Sequence, residues 1–213
     1  MVDISKIERD LQEYDVRIQS LIGAFNQRAA RPDDKEWIKD YLRHMADIDQ
    51  YTRVYAAARH CEGKDIDQVT HDYKLLADFA GDEQERSFFK DFFPRWQAVD
   101  RQCTAQLKEL LRSREWIVIS EFGEEADSNA WLIAQHADLD PEFQKQVLSV
   151  LERLYPVGET KPGNYAYLFD RVAVSHYDEN QRRPQRYGTQ GADFPVEDPA
   201  HLDQRRKKLG LKP

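Results

Sequence analysis

The sequence lacks the features of a disulfide-stabilised, membrane-spanning or secreted protein. Its 213 residues include only two cysteines, Cys61 and Cys103, and their spacing fits neither a disulfide scaffold nor a CxxC site. No apolar run approaches the roughly 18 residues of a spanning helix, and the charged N-terminus contains no apolar signal-peptide core. We therefore expect a soluble, cytoplasmic protein without membrane contact.

Signature motifs of common cofactor and hydrolase sites are absent as well. The chain has no GxxxxGK[ST], GxGxxG, GxSxG or HExxH pattern, and its six histidines show no close metal-ligand spacing. The net charge of -8 argues against general nucleic-acid binding. These absences predict no cofactor, no metal and no nucleic-acid partner. The locally basic stretch from Gln181 onward is expected to dock back onto the acidic body.

Apolar residues recur at helical spacing near the N-terminus. Steps of three and four residues predict an amphipathic helix over about residues 3–30, and its one-sided apolar face leaves a homodimer open. The segment Arg31-Pro32-Asp33-Asp34 predicts a break in which an aspartate caps a second helix reaching about Ala58.

The helical pattern continues to about residue 115. The composition predicts a turn at residues 62–65, followed by helices at about 66–79 and 83–112. Pro94 is expected to interrupt or kink the last of these helices. Residues 1–115 are therefore predicted to form an N-terminal helical region with connections short enough for antiparallel packing.

The pattern changes at Trp116-Ile117-Val118-Ile119, which is either a buried loop or a short strand. An alanine stripe then predicts a helix over about 124–137. Asp140-Pro141 is typical of a helix start, with aspartate as the cap and proline in the first turn, and this helix should end near Leu154 or Tyr155.

One more long helix is predicted, over about residues 164–174. Beyond Ser175 the chain is polar and rich in Pro and Gly, so we expect an irregular segment with one short helix near 199–208. The predicted fold is a mainly α helical bundle with an irregular C-terminal segment and little or no β structure. Residues 116–213 form a second helical region packed on the first, or one domain with it.

His136 is the strongest candidate for chemistry. It follows Leu132 by four residues and Ile133 by three, so its imidazole should lean toward the partly buried side of the helix. Such a histidine can be a general acid, a general base or a metal ligand, and equally a core histidine satisfied by its neighbours. Asp138 can approach it only if the helix ends there, as the helix start at Asp140 suggests.

Two further polar motifs follow. Asp170 and Arg171 lie in mid-helix beside alanines, which leaves room for another element next to the carboxylate, but adjacent helical residues point about 100° apart. They form either a pocket wall or a structural ion pair. The non-helical segment 184–190 combines amides, a hydroxyl and Gly188, which permits a close approach to a ligand or to the bundle.

Together these motifs resemble the domain of unknown function 6624 family, which is widespread in bacteria. The resemblance covers about residues 40–211. It departs from the family where Trp-Pro and a glycine are usual after the tryptophan, and in the longer, more charged loop 175–183. The matching patterns are Asp49-Gln50-x-x-Arg53, Val99-Asp100 with Thr104, Trp116, Ala130 to Asp138, Asp170-Arg171-Val172, Pro184 to Gln190 and Arg206 to Leu211.

The resemblance implies that these distant motifs belong to one structural unit with a shared polar pocket. Polar groups concentrated in this way are costly to bury unless they satisfy one another or a ligand. The residues expected at the pocket are Gln50, Arg53, Gln135, His136, Asp170, Arg171, Tyr187 and Gln190.

Two hypotheses remain open. The first is an enzyme, a hydrolase or group transferase without a cofactor, that acts on a small polar or peptide-like molecule. His136 would be its general acid or base, Asp138 or Asp170 would orient the imidazole, and Arg53 or Arg171 would bind an anionic group, while Gln50, Gln135, Tyr187 and Gln190 contact substrate. The second is a non-catalytic helical binding or scaffold protein in which the same polar residues form a structural network.

Overall fold

The structure is a computed structural model that describes residues 2–26, 30–60, 83–175 and 179–212. Within these ranges no β-strand occurs, which confirms the predicted mainly α fold, and no helix is both long and apolar enough to cross a membrane. The eight α-helices described are α1 (Ile4–Asn26), α2 (Lys35–His60), α3 (Glu83–Leu110), α4 (Ile119–Phe122), α5 (Glu124–Gln135), α6 (Pro141–Leu154), α7 (Pro162–Val174) and α8 (Leu202–Lys208).

The chain divides into two compact units, Met1–Gln102 and Cys103–Pro213, here called unit 1 and unit 2. The division falls within α3, which contributes residues to both units. The sequence division into residues 1–115 and 116–213 stays a prediction.

Unit 1 begins with the predicted amphipathic helix. α1 buries a stripe at helical spacing and its other faces are exposed. After the predicted break, the Asp34 carboxylate accepts the backbone amides of Glu36 at 3.0 Å and Trp37 at 3.2 Å, which confirms an aspartate cap at the start of α2. The buried stripe of α1 consists of Ile7, Leu11, Tyr14 and Ile18.

Aromatic side chains fill the core of unit 1. Tyr14 of α1 packs edge-on against Phe92 of α3, with ring centroids 4.8 Å apart, and its hydroxyl hydrogen-bonds Thr52 of α2 at 2.9 Å. Of the two alternatives predicted at Pro94, the interruption is wrong, because α3 runs through the proline, and the kink stays a prediction. Phe92 and Trp96 are both buried on either side of it, and this packing offsets the hydrogen bond that proline removes. The turn and helix predicted over residues 62–79 lie outside the described residues.

Unit 2 begins with the apolar run after α3. Trp116 and Ile117 are buried in a loop, so the strand alternative does not apply. The Asp140 carboxylate accepts the Phe143 amide at 3.1 Å and Pro141 opens α6, which confirms the predicted helix start. The alanine stripe of α5 is buried, and α7 packs against both α5 and α6.

The C-terminal segment of unit 2 is irregular, as predicted, and ends in α8. A single parallel bridge joins Gln185 to Val196. Arg205 donates to the Arg186 carbonyl at 2.8 Å, and Arg206 donates to the Tyr187 carbonyl at 2.7 Å. These two bonds hold α8 against residues 186 and 187, within the basic stretch itself, and its docking onto the acidic body stays a prediction.

Candidate functional site

The functional candidates of unit 2 are organised around the end of α5. The helix ends at Gln135, and His136 forms its C-terminal cap, with its backbone amide still bonded to the carbonyls of Leu132 and Ile133 at 3.2 Å. The His136 side chain is half-buried. The helix thus ends where the sequence suggested, and Asp138 lies in the turn that follows.

Asp138 and Arg171 form a buried ion pair. The Arg171 guanidinium makes a two-pronged contact with the Asp138 carboxylate, with Nε 2.9 Å from Oδ1 and a second bond from Nη2 to Oδ2. Its Nη1 also donates to Gln190 Oε1 at 3.2 Å. Both charged side chains are at most 6% exposed. The pair therefore joins the turn after α5, helix α7 and the segment around Gln190.

Gln144 of α6 extends this cluster, and the sequence analysis did not single it out. Its Nε2 lies within hydrogen-bond distance of Asp138 Oδ1 at 3.1 Å and of the carbonyls of Ala134 at 3.3 Å and Gln135 at 3.1 Å. The sequence does indicate that Gln144 is buried, because it lies three residues before Val147 on the apolar side of α6.

Asp170 has a different environment from its neighbour Arg171. Its fully buried carboxylate accepts the backbone amides of Arg186 at 2.7 Å, Tyr187 at 3.1 Å and Thr189 at 3.0 Å, as well as the Thr189 hydroxyl at 3.0 Å. The two side chains point to separate partners, as the 100° helical rotation requires. Asp170 fixes the segment 185–190 on α7.

Hydrogen bonds from the Gln185 side chain stabilise the same segment internally. Gln185 accepts the Gln190 amide at 2.6 Å and donates to the carbonyls of Gly191 and Phe194, both at 2.8 Å. Gly188 has a positive φ of 65°, and an added Cβ would lie 3.4 Å from the Leu202 side chain, so glycine suits this position.

Tyr187 lies within this segment. Its ring is buried and packs edge-on against Tyr165 and Phe169 of α7, and burial raises the pKa of its hydroxyl. These contacts give Tyr187 a packing role in unit 2.

Gln135 stands apart from these bonded groups. The residue is only 6% exposed, and its side-chain amide makes no hydrogen bond with any residue that the structure describes. Its Oε1 is fully enclosed. One turn earlier, Trp131 Nε1 is also enclosed and has no hydrogen-bond partner in the described part of the chain.

The Trp131 ring connects this helix face to the ion-paired cluster. It packs edge-on against Tyr167 of α7 with centroids 5.9 Å apart, and the Tyr167 carbonyl accepts Gln190 Nε2 at 3.4 Å. Since Gln190 also accepts from Arg171, Tyr167 links Trp131 to the ion-paired cluster.

A second buried carboxylate, Asp127, lies near the start of α5 and was missed in the sequence. It accepts Trp116 Nε1 at 2.8 Å, the Thr160 hydroxyl at 2.7 Å, the Lys161 amide at 3.2 Å and Asn164 Nδ2 at 2.9 Å. Burial raises its pKa, although the hydrogen bonds from Trp116, Thr160 and Lys161 oppose that shift. Its partners belong to structural segments around α5 and α7, which makes it a packing element.

The remaining predicted site residues lie in unit 1. Arg53 is fully buried and bridges Asp49 at 2.6 Å and Asp100 at 3.0 Å, with its guanidinium 5.2 Å from the centre of the Trp96 ring. Gln50 donates to the second oxygen of Asp49 at 2.8 Å. Within unit 1 these residues form one polar cluster. Their convergence with the motifs of unit 2 stays a prediction.

An open depression of about 650 Å³ lies elsewhere on unit 1 and contains none of the predicted site residues. In the described ranges no group of three or more histidine, cysteine, aspartate or glutamate side chains is arranged to hold a metal ion. The depression is lined by Arg9, Gln12, Glu13, Val16, Arg17, Ser20 and Tyr51.

Comparison with known proteins gives one result. The model of a family of unknown function, DUF6624, matches residues 89–213, which is more than half of the chain and includes every predicted site residue of unit 2. The motif at Asp49, Gln50 and Arg53 lies before the matched range. No curated protein and no solved structure matches the chain. The chain is a member of the DUF6624 family of unknown function.

Proposed function

We propose that unit 2 binds a small polar or peptide-like molecule at the end of α5, with Gln135 and His136 as the contacting side chains. The observation that carries the proposal is the buried Gln135 amide, which has no hydrogen-bond partner in the described residues. Leaving a buried polar group unbonded costs about 1–3 kcal/mol. A ligand that supplies the missing hydrogen bonds recovers this free energy as binding affinity.

The bonds around Gln135 support a preformed site. Gln144 holds the Gln135 carbonyl, while Arg171 joins Asp138 to Gln190. Because the protein itself makes these contacts, they fix the backbone beneath Gln135 and His136, and less conformational entropy is lost on binding. In this proposal Asp138, Arg171 and Gln190 position the site without contacting the ligand.

Asp170 and Tyr187 have a supporting role in the same proposal. Asp170 binds the backbone of the segment 185–190, and Tyr187 packs that segment against α7. Both act on the ligand only through Gln190 and the ion pair that Gln190 joins.

A second candidate is hydrolysis or group transfer with His136 as general acid or base. The observation that favours it is the position of His136, half-buried at the cap of α5 and next to Gln135. An imidazole can donate or accept a proton near neutral pH, which such reactions require. His136→Asn distinguishes the two candidates, since it abolishes turnover of a substrate while a bound ligand keeps part of its affinity.

The experiment uses the full chain and a set of small polar molecules and short peptides, with the melting temperature as the first readout and calorimetry as the second. Gln135→Leu removes the amide at similar volume. Gln146→Leu, on the exposed side of α6, is the matched control. We expect ligands of the wild type and of the control to bind Gln135→Leu at least tenfold more weakly. A ligand that binds Gln135→Leu as tightly as the wild type would contradict the proposal.

A further inference from the structure

We infer that the chemical group recognised at this site is a primary carboxamide, held by Trp131 and Gln135 together. This inference rests on the proposed ligand site and specifies its chemistry. Trp131 is absent from the residues that the sequence analysis assigned to the site.

The helix places the two side chains together. Trp131 and Gln135 are four residues apart on α5, so they lie on one face with their Cβ atoms about 5–6 Å apart. Each has an enclosed polar atom without a hydrogen-bond partner in the described residues, the indole Nε1 of Trp131 and the Oε1 of Gln135. Two such atoms on adjacent turns define one unsatisfied polar surface, which a ligand reaches when the side chains that cover these enclosed atoms move aside.

The donor and acceptor pattern of this surface selects the ligand group. The Trp131 indole only donates, whereas the Gln135 amide has one accepting oxygen and one donating nitrogen. A matching group must therefore accept from both residues and also donate to Gln135. Carboxylates and esters only accept, and ammonium groups only donate.

A primary carboxamide meets all of these requirements with one planar group. The N–H on the same edge as its carbonyl donates to Gln135 Oε1, and that carbonyl accepts from Gln135 Nε2, so the two amides pair edge to edge. A trans peptide bond has its N–H and carbonyl on opposite edges and cannot pair in this way. The second lone pair of that carbonyl accepts from Trp131 Nε1. A hydroxyl also donates and accepts, but through a single atom it cannot pair with both polar atoms of the Gln135 amide in one plane.

The aromatic neighbours suit a flat ligand group. Trp131 and Tyr167 pack edge-on, and Tyr167 is held through its carbonyl by Gln190. Planar amides pack against aromatic rings with little loss of conformational freedom. Gln135 retains 6% exposure, so its edge reaches the protein surface.

The test follows the indole N–H signals of the ¹⁵N-labelled full chain by NMR. Trp131→Phe identifies the Trp131 signal, and Trp116 is the internal control because its indole already donates to Asp127. The probes are N-methylacetamide and methyl acetate, which are both neutral and nearly identical in shape but differ in the N–H donor. Acetamide is the third probe, and it represents a primary carboxamide.

We expect acetamide to shift the Trp131 signal saturably, with at least fivefold higher affinity than methyl acetate and no shift at Trp116. Gln135→Leu should abolish that saturation. N-methylacetamide should bind at least fivefold more weakly than acetamide, because its N–H and carbonyl lie on opposite edges. Binding of N-methylacetamide as tight as that of acetamide would overturn the inference.

Equal shifts with methyl acetate would overturn the amide inference and leave the proposed ligand site intact, because binding would still occur at Trp131. Absence of any saturable Trp131 shift would also overturn the inference, since the enclosed atoms then have water as their only partner. The proposed function fails separately, when ligands found in the broader screen bind Gln135→Leu as tightly as the wild type.

Discussion

Buried polar side chains at the two ends of α5 differ in whether they have hydrogen-bond partners. Near its start, Asp127 receives hydrogen bonds from Trp116, Thr160, Lys161 and Asn164. Toward its end, the enclosed polar atoms of Trp131 and Gln135 have no such partner in the described residues. The three residues are spaced four apart along the helix and differ in what the rest of unit 2 supplies to them.

Two buried glutamines show the same contrast. Gln144 is 4% exposed and Gln135 is 6% exposed, yet the Gln144 amide nitrogen contacts three oxygens and the Gln135 amide contacts none among the described residues. Burial alone therefore does not distinguish a structural polar residue from a binding residue. The distinction lies in whether the protein itself completes the hydrogen bonds.

The largest effect is expected at the ion pair. Arg171→Met removes the guanidinium and leaves the Asp138 carboxylate buried without it, so the free energy of unfolding should fall by about 3–5 kcal/mol. Urea denaturation measures this loss. The double variant Asp138→Asn with Arg171→Met should recover part of it, because no buried carboxylate then remains. A loss below about 1 kcal/mol would contradict this prediction, because the pair would then contribute no more to stability than a surface ion pair.

A smaller and more local effect is expected for Asp170→Asn. The neutral side chain keeps one accepting oxygen but loses the charge that strengthens three backbone hydrogen bonds, at a cost of about 2 kcal/mol. Amide hydrogen exchange should accelerate at Arg186, Tyr187 and Thr189, while the Lys161 amide, which is bonded to Asp127, serves as the control. Unchanged exchange in the segment 185–190 would mean that Asp170 does not anchor it.

A still smaller effect is expected from the pH dependence of Asp127. Burial raises its pKa in the native state above the value of an unfolded aspartate, near 4. The native state then binds this proton more tightly, so the contribution of Asp127 to stability falls as the pH rises from about 4 through the raised pKa, and is constant above it.

Asp127→Asn isolates this contribution. Urea unfolding of the wild type and the variant is compared between pH 4 and pH 7, and only the change in their difference with pH is used. The wild type should lose stability relative to Asp127→Asn as the pH rises. The opposite slope would show that the four donors lower the pKa of Asp127 more than burial raises it.

The helices were predictable because their signals are local. Apolar spacing identified α1, and the caps Asp34 and Asp140 marked two helix starts, since a capping carboxylate binds amides two or three residues away. The continuity of α3 through Pro94 was not predicted, for the opposite reason. The cost of the proline is local, but the aromatic packing that offsets it comes from other helices of unit 1, which a sequence window does not contain.

The sequence identified which residues belong to the site but did not predict which of them form hydrogen bonds with one another. His136, Asp138 and Arg171 were identified as polar residues in helical surroundings, and the partial burial expected for His136 is observed. The pairing of Asp138 with Arg171 spans 33 residues, and no spacing rule links them. The partners of Asp170 are mainly backbone amides, which every sequence carries, so the sequence contains no trace of that contact.

The unbonded state of Gln135 could not be predicted from the sequence at all. It depends on which neighbours fail to reach the amide, and that is a property of the packed structure. Gln144 could have been found, because a glutamine beside Val147 on the apolar side of a helix is buried by the same periodicity that predicts the helix.

The most direct test of this account makes the same substitution at the two buried glutamines. Gln144→Leu removes the amide nitrogen that contacts the Asp138 oxygen and two backbone carbonyls, so urea denaturation should show a loss of about 2 kcal/mol in the free energy of unfolding. Gln135→Leu removes an amide that has no hydrogen bond to lose, and its free energy of unfolding should stay within about 0.5 kcal/mol of the wild type or rise. An equal loss in both variants would show that Gln135 is structural and would contradict the account.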